Sequence, residues 1–174
     1  LKASQNKYIN EILVGNNRLK LLRTIEMAYK KAPCFEDVFP RVESILTYKA
    51  THLSSFLTNS IQGIADYLDI KTKILISSSI QNNKELKGQE KIIDIVKYLE
   101  GDQYINSIGG TELYKKNIFD SNSIKLFFLK SNPVYYPQFS KIFVPNLSII
   151  DLMMFTDRSS TSTILNNYQL EQAK

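Results

Sequence analysis

With 174 residues, of which 43% are hydrophobic and 22% charged, the chain is expected to form one soluble domain with a buried core. Its 22 Lys and Arg against 17 Asp and Glu give a net charge of +5, which suits an anionic ligand but does not indicate a dedicated nucleic-acid binder. A single Cys excludes an intrachain disulfide, and one Cys with one His cannot form the usual four-ligand zinc site. The sequence contains no apolar run that could span a membrane and no recognisable signal peptide, so we expect a cytoplasmic location.

The first part of the chain predicts one strand followed by three helices. The β-branched run at 8–14 is typical of a strand. Asn17 is a plausible N-cap for the helix that follows it. A second helix is expected from Pro40 to about Tyr48, because proline is favoured at the first helical position. The apolar spacing over 52–69 predicts the third helix.

The middle of the chain alternates strands with helices. The predicted elements are strand 73–78, helix 88–99, strand 103–106, helix 110–118 and strand 124–129. Such a βαβαβ order favours parallel pairing with crossover helices. We therefore expect a three-layer, Rossmann-like α/β domain with a mostly parallel sheet. A segment rich in proline and aromatic residues then leads to a last helix near 160–168.

The Gly109-Gly110 turn is the first candidate for ligand binding. Glycine lets the backbone approach a ligand closely, and a helix N-terminus attracts phosphate or carboxylate. The turn lacks the spacing of dinucleotide-binding and P-loop motifs, so a plain tight turn is the alternative. Asn106, just before the turn, could bind ligand hydroxyls or cap the helix.

Asp151 is the second candidate, because it lies in the apolar run 147–155. A carboxylate in such surroundings must be paired, hydrogen-bonded or exposed. It could act as a general base, bind a metal ion or cap a helix, and the sequence alone leaves these open. Gln138 could bind a ligand or close a turn. The lone His52 and Cys34 do not form a nucleophile with its base, so surface and packing roles are expected for them.

Four segments carry a family resemblance in their order and spacing: LRTIEMAYKKAPCFEDVFP, LKGQEKIIDIVKYLEGDQYINSIGGTELY, YYPQFSKIFVPNLSIIDLMMF and ILNNYQL. Together they resemble the WbqC-like protein family of bacteria over nearly the whole chain. Members of this family are encoded among polysaccharide and O-antigen biosynthesis genes. The resemblance therefore implies a glycosyl- or aminoacyl-transferase of cell-surface polysaccharide (lipopolysaccharide) assembly, with an activated, nucleotide-linked donor and a saccharide acceptor.

The resemblance leaves other functions and partners open. The alternative function is that of a non-enzymatic binding or scaffold protein of the biosynthetic complex. The resemblance does not identify a cofactor for either function. An aminoacyl-tRNA donor would add RNA as a partner. Aromatic residues in the segment 133–145 could form a homodimer interface, although a place in the core is the commoner explanation.

Positions that match the family pattern give the expected site residues. Asp151 is expected to be catalytic, and the expected substrate-binding residues are Lys2, Gly88, Asn106, Gly109, Gly110, Tyr114, Gln138 and Ser148. Where the pattern leads us to expect a Trp and a His, this chain has Asn17 and Leu21, so a mechanism using that His as base does not carry over. The family's first segment is also missing, and we expect the chain to be truncated at its N-terminus, without the first strand.

Overall fold

The computed structural model describes residues 6–81 and 85–173. The chain forms two compact units, each with its own hydrophobic core. The first unit takes in the chain up to Thr72 together with Val134–Leu165, and the second takes in Lys73–Pro133 together with the residues from Asn166 onward.

Helices and strands give a mixed α/β architecture in the part of the chain that is described. In chain order the helices are α1 (Arg18–Tyr29), α2 (Phe35–Thr47), α3 (Leu53–Tyr67), α4 (Gly88–Tyr98), α5 (Lys116–Asp120), α6 (Ile149–Phe155) and α7 (Arg158–Leu165). The strands are β1 (Gln103–Ser107), β2 (Lys125–Ser131) and β3 (Tyr168–Gln172). None of the helices among these residues is long and apolar enough to cross a membrane.

The first unit is helical, and its core is made by apolar faces of α1, α2, α3 and α6. On α2 the buried residues Val38, Val42 and Leu46 recur every four positions, which places them on one face of the helix. Helix α6 is different, because all residues from Asp151 to Phe155 are buried. The helices predicted after Asn17 and over 52–69 are confirmed as α1 and α3.

Two predictions for the first unit are wrong. Helix α2 begins at Phe35 rather than at Pro40, so the proline lies inside the helix and removes one backbone hydrogen bond. Val38 is fully inaccessible to solvent, and the free energy gained by burying its side chain offsets the cost of the missing hydrogen bond. The strand predicted at 8–14 is a short 3₁₀ helix, Ile9–Glu11, followed by one isolated bridge from Leu13 to His52, because no strand within 6–81 or 85–173 pairs with this segment.

The second unit contains a three-stranded sheet in the order β1-β2-β3. Strand β1 is parallel to β2, with Ile105 opposite Phe127, and β3 is antiparallel to β2, with Leu170 opposite Leu129. Helices α4 and α5 supply Ile93, Val96 and Phe119 to the core, where they pack with Leu126 and Phe128 of β2. The predictions of helix 88–99 and of strands 103–106 and 124–129 are confirmed.

Other parts of the predicted βαβαβ run are corrected. Residues 73–78 form no strand and end in a 3₁₀ turn, Ser77–Ser79, because a short apolar run does not by itself specify a strand. A 3₁₀ helix over Ile108–Leu113 and the short α5 replace the helix predicted over 110–118. The last helix, α7, ends at Leu165, and Tyr168 begins β3. The sheet is therefore mixed, with one parallel and one antiparallel pair, rather than mostly parallel.

Candidate functional site

Asp151 lies in the first turn of α6 and is only 5% exposed. Ser148 is the N-cap of this helix, and its side-chain oxygen accepts a hydrogen bond from the Ile150 N–H at 3.3 Å. A carboxylate in a first turn also meets the positive end of the helix dipole. Ser148 therefore fixes the start of α6 and, with it, the position of Asp151.

Three neutral donors hold the Asp151 carboxylate. Tyr29 Oη donates to Oδ1 at 2.8 Å, and Tyr136 Oη donates to Oδ2 at 2.7 Å. Gln138 Nε2 donates to Oδ2 at 3.2 Å. A carboxylate accepts about four hydrogen bonds, so one acceptor position, on Oδ1, is not used by a side chain of the described residues. We call Tyr29, Tyr136, Gln138 and Asp151 the Asp151 cluster.

Both tyrosines of the cluster are held protonated. Burial, followed by the hydrogen bond to Asp151, raises the pKa of Tyr29 to about 12. The same two causes, again with burial first, raise the pKa of Tyr136. Each phenol is therefore a hydrogen-bond donor at neutral pH, and a negative charge on Asp151 favours this state. Neither tyrosine is among the site residues expected from the sequence.

Gln138 both closes a loop and contacts Asp151. Its Oε1 accepts from the Val144 N–H at 2.9 Å, and its Nε2 donates to the Val144 carbonyl at 3.0 Å. With the bond to Asp151, both amide hydrogens are used within the chain. This geometry makes Gln138 a positioning residue for the carboxylate and for the loop 138–144, which is the turn-closing role that the sequence left open.

Asn106, Gly110 and Tyr114 come together in the second unit. The Asn106 side chain folds back, and its Oδ1 accepts from the Ser107 N–H at 2.8 Å. A Cβ placed on Gly110 would lie 2.7 Å from Asn106 Nδ2 and 3.6 Å from Tyr114 Cε2. The absence of a side chain at Gly110 therefore makes room for the Asn106 amide.

The Tyr114 hydroxyl lies 3.3 Å from that of Tyr104. Burial, followed by this contact, raises the pKa of Tyr104. Both rings pack against Phe119, which is fully buried in the core of the second unit. Tyr114 is thus held between the core and the Gly110 turn.

Gly109 and Gly88 lie in open surroundings, since a Cβ on either would meet no atom outside its neighbouring stretch of chain within 4 Å. Gly88 begins α4 with φ of +54°, a conformation that glycine adopts without strain. Lys2 lies outside the described residues. Of the expected site residues, the structure thus groups Asp151, Gln138 and Ser148 in the first unit and Asn106, Gly110 and Tyr114 in the second.

No cluster of three or more His, Cys, Asp or Glu side chains that could hold a metal ion occurs in residues 6–81 or 85–173. The nearest hydrogen-bonding partners of Asp151 are two phenols and an amide. Three donors of this kind fix the orientation of the carboxylate, and a general base must be positioned in this way.

Comparisons with known proteins give one family. The model of the WbqC-like protein family matches residues 1–163. No curated protein and no solved structure matches significantly. The matched range contains both groups of expected site residues and ends within α7, before β3. The family resemblance inferred from the sequence is thereby confirmed, and the fourth segment, ILNNYQL at 164–170, lies beyond the matched range.

Proposed function

The chain belongs to the WbqC-like protein family, and on that basis we propose that it is a transferase of bacterial cell-surface polysaccharide assembly. In this proposal it moves a glycosyl or aminoacyl group from an activated donor to a saccharide acceptor. The observation that carries the proposal is the Asp151 carboxylate, which is 5% exposed and oriented by three neutral donors. One acceptor position on it is not used by a side chain of the described residues.

Asp151 acts in this mechanism as the general base. The acceptor's hydroxyl or amine attacks the electrophilic carbon of the donor and gives its proton to Asp151 Oδ1. The bond from that carbon to the leaving oxygen breaks, and the leaving group keeps the electron pair. Tyr29 and Tyr136 hold the carboxylate in place, and a positioned base of this kind contributes roughly 10²–10⁴-fold to the rate.

The turn at Gly109, in the second unit, is proposed separately as an element that binds phosphate groups. Its backbone N–H groups can approach a phosphate, because a Cβ on Gly109 would meet no atom outside the neighbouring stretch of chain within 4 Å. Gly109 is the second residue of the six-residue 3₁₀ helix Ile108–Leu113, whose dipole contributes little, so hydrogen bonding carries the interaction. We also propose a three-layer Rossmann-like arrangement, which the parallel β1–β2 pair supports.

A non-enzymatic binding or scaffold function is the second candidate. The same cluster supports it, because a carboxylate with three internal donors and 5% exposure can serve the fold alone. The loop that carries Gln138 also exposes apolar side chains, with Tyr135 79%, Phe139 57% and Ile142 80% accessible. Such side chains suit a surface that binds a partner protein.

Complementation separates the two functions. A bacterium that lacks the gene is supplied with the wild type, Asp151→Asn or Asp102→Asn, and surface polysaccharide and protein abundance are measured together. Asp102 is an exposed carboxylate whose side chain has no partner among the described residues, so it is the matched control. The transferase proposal expects polysaccharide to be lost only with Asp151→Asn, at wild-type abundance. Normal polysaccharide with that variant would favour the scaffold function.

A thermal-shift screen tests the donor. Nucleotide sugars are added at 1 mM, and a donor with a Kd of about 10 µM should stabilise the protein by roughly 2.7 kcal/mol. Gly109→Ala is the variant of choice, because its Cβ enters open space, whereas Gly110→Ala would displace the Asn106 amide. A donor whose effect is unchanged in Gly109→Ala would contradict the assigned binding element. Binding of RNA that weakens with salt would identify an aminoacyl-tRNA donor instead.

A further inference from the structure

A polar cavity of about 280 Å³ lies in the first unit, lined by residues of α2 and α3 and by Arg158 of α7. Its volume is just below the range of about 300–1,000 Å³ typical of small-molecule sites. None of the four residues of the Asp151 cluster lines it. The cavity is therefore a separate candidate site, and its chemistry is carried by two arginines and two aspartates.

The two arginines keep most of their donors available. Asp37 and Arg41 stand four residues apart on α2, a spacing that commonly gives an ion pair. Arg41 nevertheless has no hydrogen bond or ion pair with any residue of the described ranges. Arg158 lies 5.9 Å from the centre of the Tyr67 ring and 3.8 Å from Asp69, and its side chain is 52% exposed. Each guanidinium can thus offer N–H groups to an anion.

The two aspartates have one engaged and one available oxygen each. Asp37 Oδ2 accepts from Tyr67 Oη at 2.7 Å, and Asp66 Oδ1 accepts from Gln62 Nε2 at 2.7 Å. Burial, followed by the bond to Asp37, raises the pKa of Tyr67, so this phenol stays a donor and fixes the carboxylate. The second oxygen of each aspartate has no hydrogen bond from another described residue and can accept one from a cation.

These four side chains make the cavity wall neutral overall but strongly dipolar. A phosphate would meet two carboxylates as well as two guanidinium groups, and a neutral sugar would leave the opposite charges unpaired. Ser44 and Asn59 add polar groups whose side chains bond to no other residue in the described ranges. The arrangement is complementary to a small ligand that carries one negative and one positive charge.

We propose that this cavity binds a small zwitterion of the free amino acid class. Arg41 and Arg158 bind its carboxylate, as guanidinium groups do in bidentate fashion, and Asp37 and Asp66 bind its ammonium group. The inference does not rest on the transferase proposal, because it uses different residues and requires no reaction. It adds an amino acid as a ligand, either bound as a substrate or sensed as an effector.

The test is a thermal-shift measurement on the full chain with each of the twenty standard amino acids at 10 mM. A ligand with a Kd of about 1 mM should raise the Tm by roughly 3–6 °C. The N-acetyl and methyl ester forms of any amino acid that binds lack one charge each, and D-glucose is a neutral polar probe. We expect these three probes to give no shift.

Variants that neutralise one charge of the cavity test whether the amino acid binds there. Arg41→Gln and Asp66→Asn should each weaken the affinity at least about tenfold, since each removes a charge-assisted interaction. Arg23→Gln is the matched control, because Arg23 is an exposed helical arginine without a partner among the described residues. The proposal is overturned if no amino acid raises the Tm, if the singly charged forms or glucose act equally, or if Arg23→Gln weakens binding as much as Arg41→Gln.

Discussion

Replacing Tyr136 with Phe removes one hydrogen-bond donor from Asp151 and keeps the aromatic ring. The bond is 2.7 Å long, which is typical of a hydroxyl that donates to an ionised carboxylate. Hydrogen bonds to charged groups contribute about 1.5–3 kcal/mol each. Because Asp151 is only 5% exposed, water cannot easily replace the lost donor. We therefore expect Tyr136→Phe to lower the free energy of unfolding by about 1.5–3 kcal/mol.

The assay is urea unfolding followed by circular dichroism, with thermal melting as a second measurement. For a chain of this size each kcal/mol lowers the Tm by about 2–4 °C, so the expected loss is roughly 3–12 °C. Tyr135→Phe is the matched control, because Tyr135 is 79% exposed and its hydroxyl has no hydrogen bond within the described residues. Its effect should stay within about 0.5 kcal/mol.

Combining Tyr136→Phe with Asp151→Asn tests whether the two residues interact. The two single variants and the double variant together form a double-mutant cycle. Residues that share a hydrogen bond show coupling energies of about 0.5–3 kcal/mol in such a cycle. Equal stabilities for Tyr136→Phe and Tyr135→Phe, or strictly additive effects in the cycle, would refute the assignment of the Tyr136 hydroxyl to the carboxylate.

Three further predictions concern stability. The pKa of Tyr29 rises from 10.0 to about 12 on folding. Its contribution to the free energy of unfolding is therefore complete below about pH 10 and is lost as the pH rises through 12. In Tyr29→Phe the free energy of unfolding should fall less steeply over this pH range. Gly88→Ala should cost about 1–2 kcal/mol in urea unfolding, because φ is +54° there, while Gly109→Ala should be nearly neutral. Thr161→Val should cost about 1–3 kcal/mol by removing a fully buried hydroxyl that donates within the chain, whereas the exposed Thr163→Val should cost less than about 1 kcal/mol in the same assay.

Local patterns predicted α1, α3 and α4, because an apolar face recurs within each of these helices. The stripe on α3 and the spacing on α4 specify a helix without reference to the rest of the chain. The runs 8–14 and 73–78 are short and apolar, and whether such a run becomes a strand depends on a partner elsewhere. Strand β3 was missed for the same reason, since it is defined by pairing with β2.

The candidate site was predictable in part. An aspartate inside an apolar run must have partners, and this rule identified Asp151 before any partner was known. Tyr29 is 122 residues away in the chain, so no local pattern could connect it with the carboxylate. The cavity between α2 and α3 was also missed, because its arginines and aspartates resemble ordinary charges on exposed helix faces.

The interleaving of the two units in the chain bears on how the protein folds during synthesis. The first unit receives Met153 and Met154 from α6 only after the whole of α4, β1, α5 and β2 has been made. The sheet of the second unit receives its third strand, β3, later still. A growing chain on the ribosome therefore carries two unfinished cores, with an unpaired edge on β2, and such edges are open to aggregation. Both units are completed only after α6, α7 and β3 have been made, so a premature stop before residue 149 would leave neither of them whole.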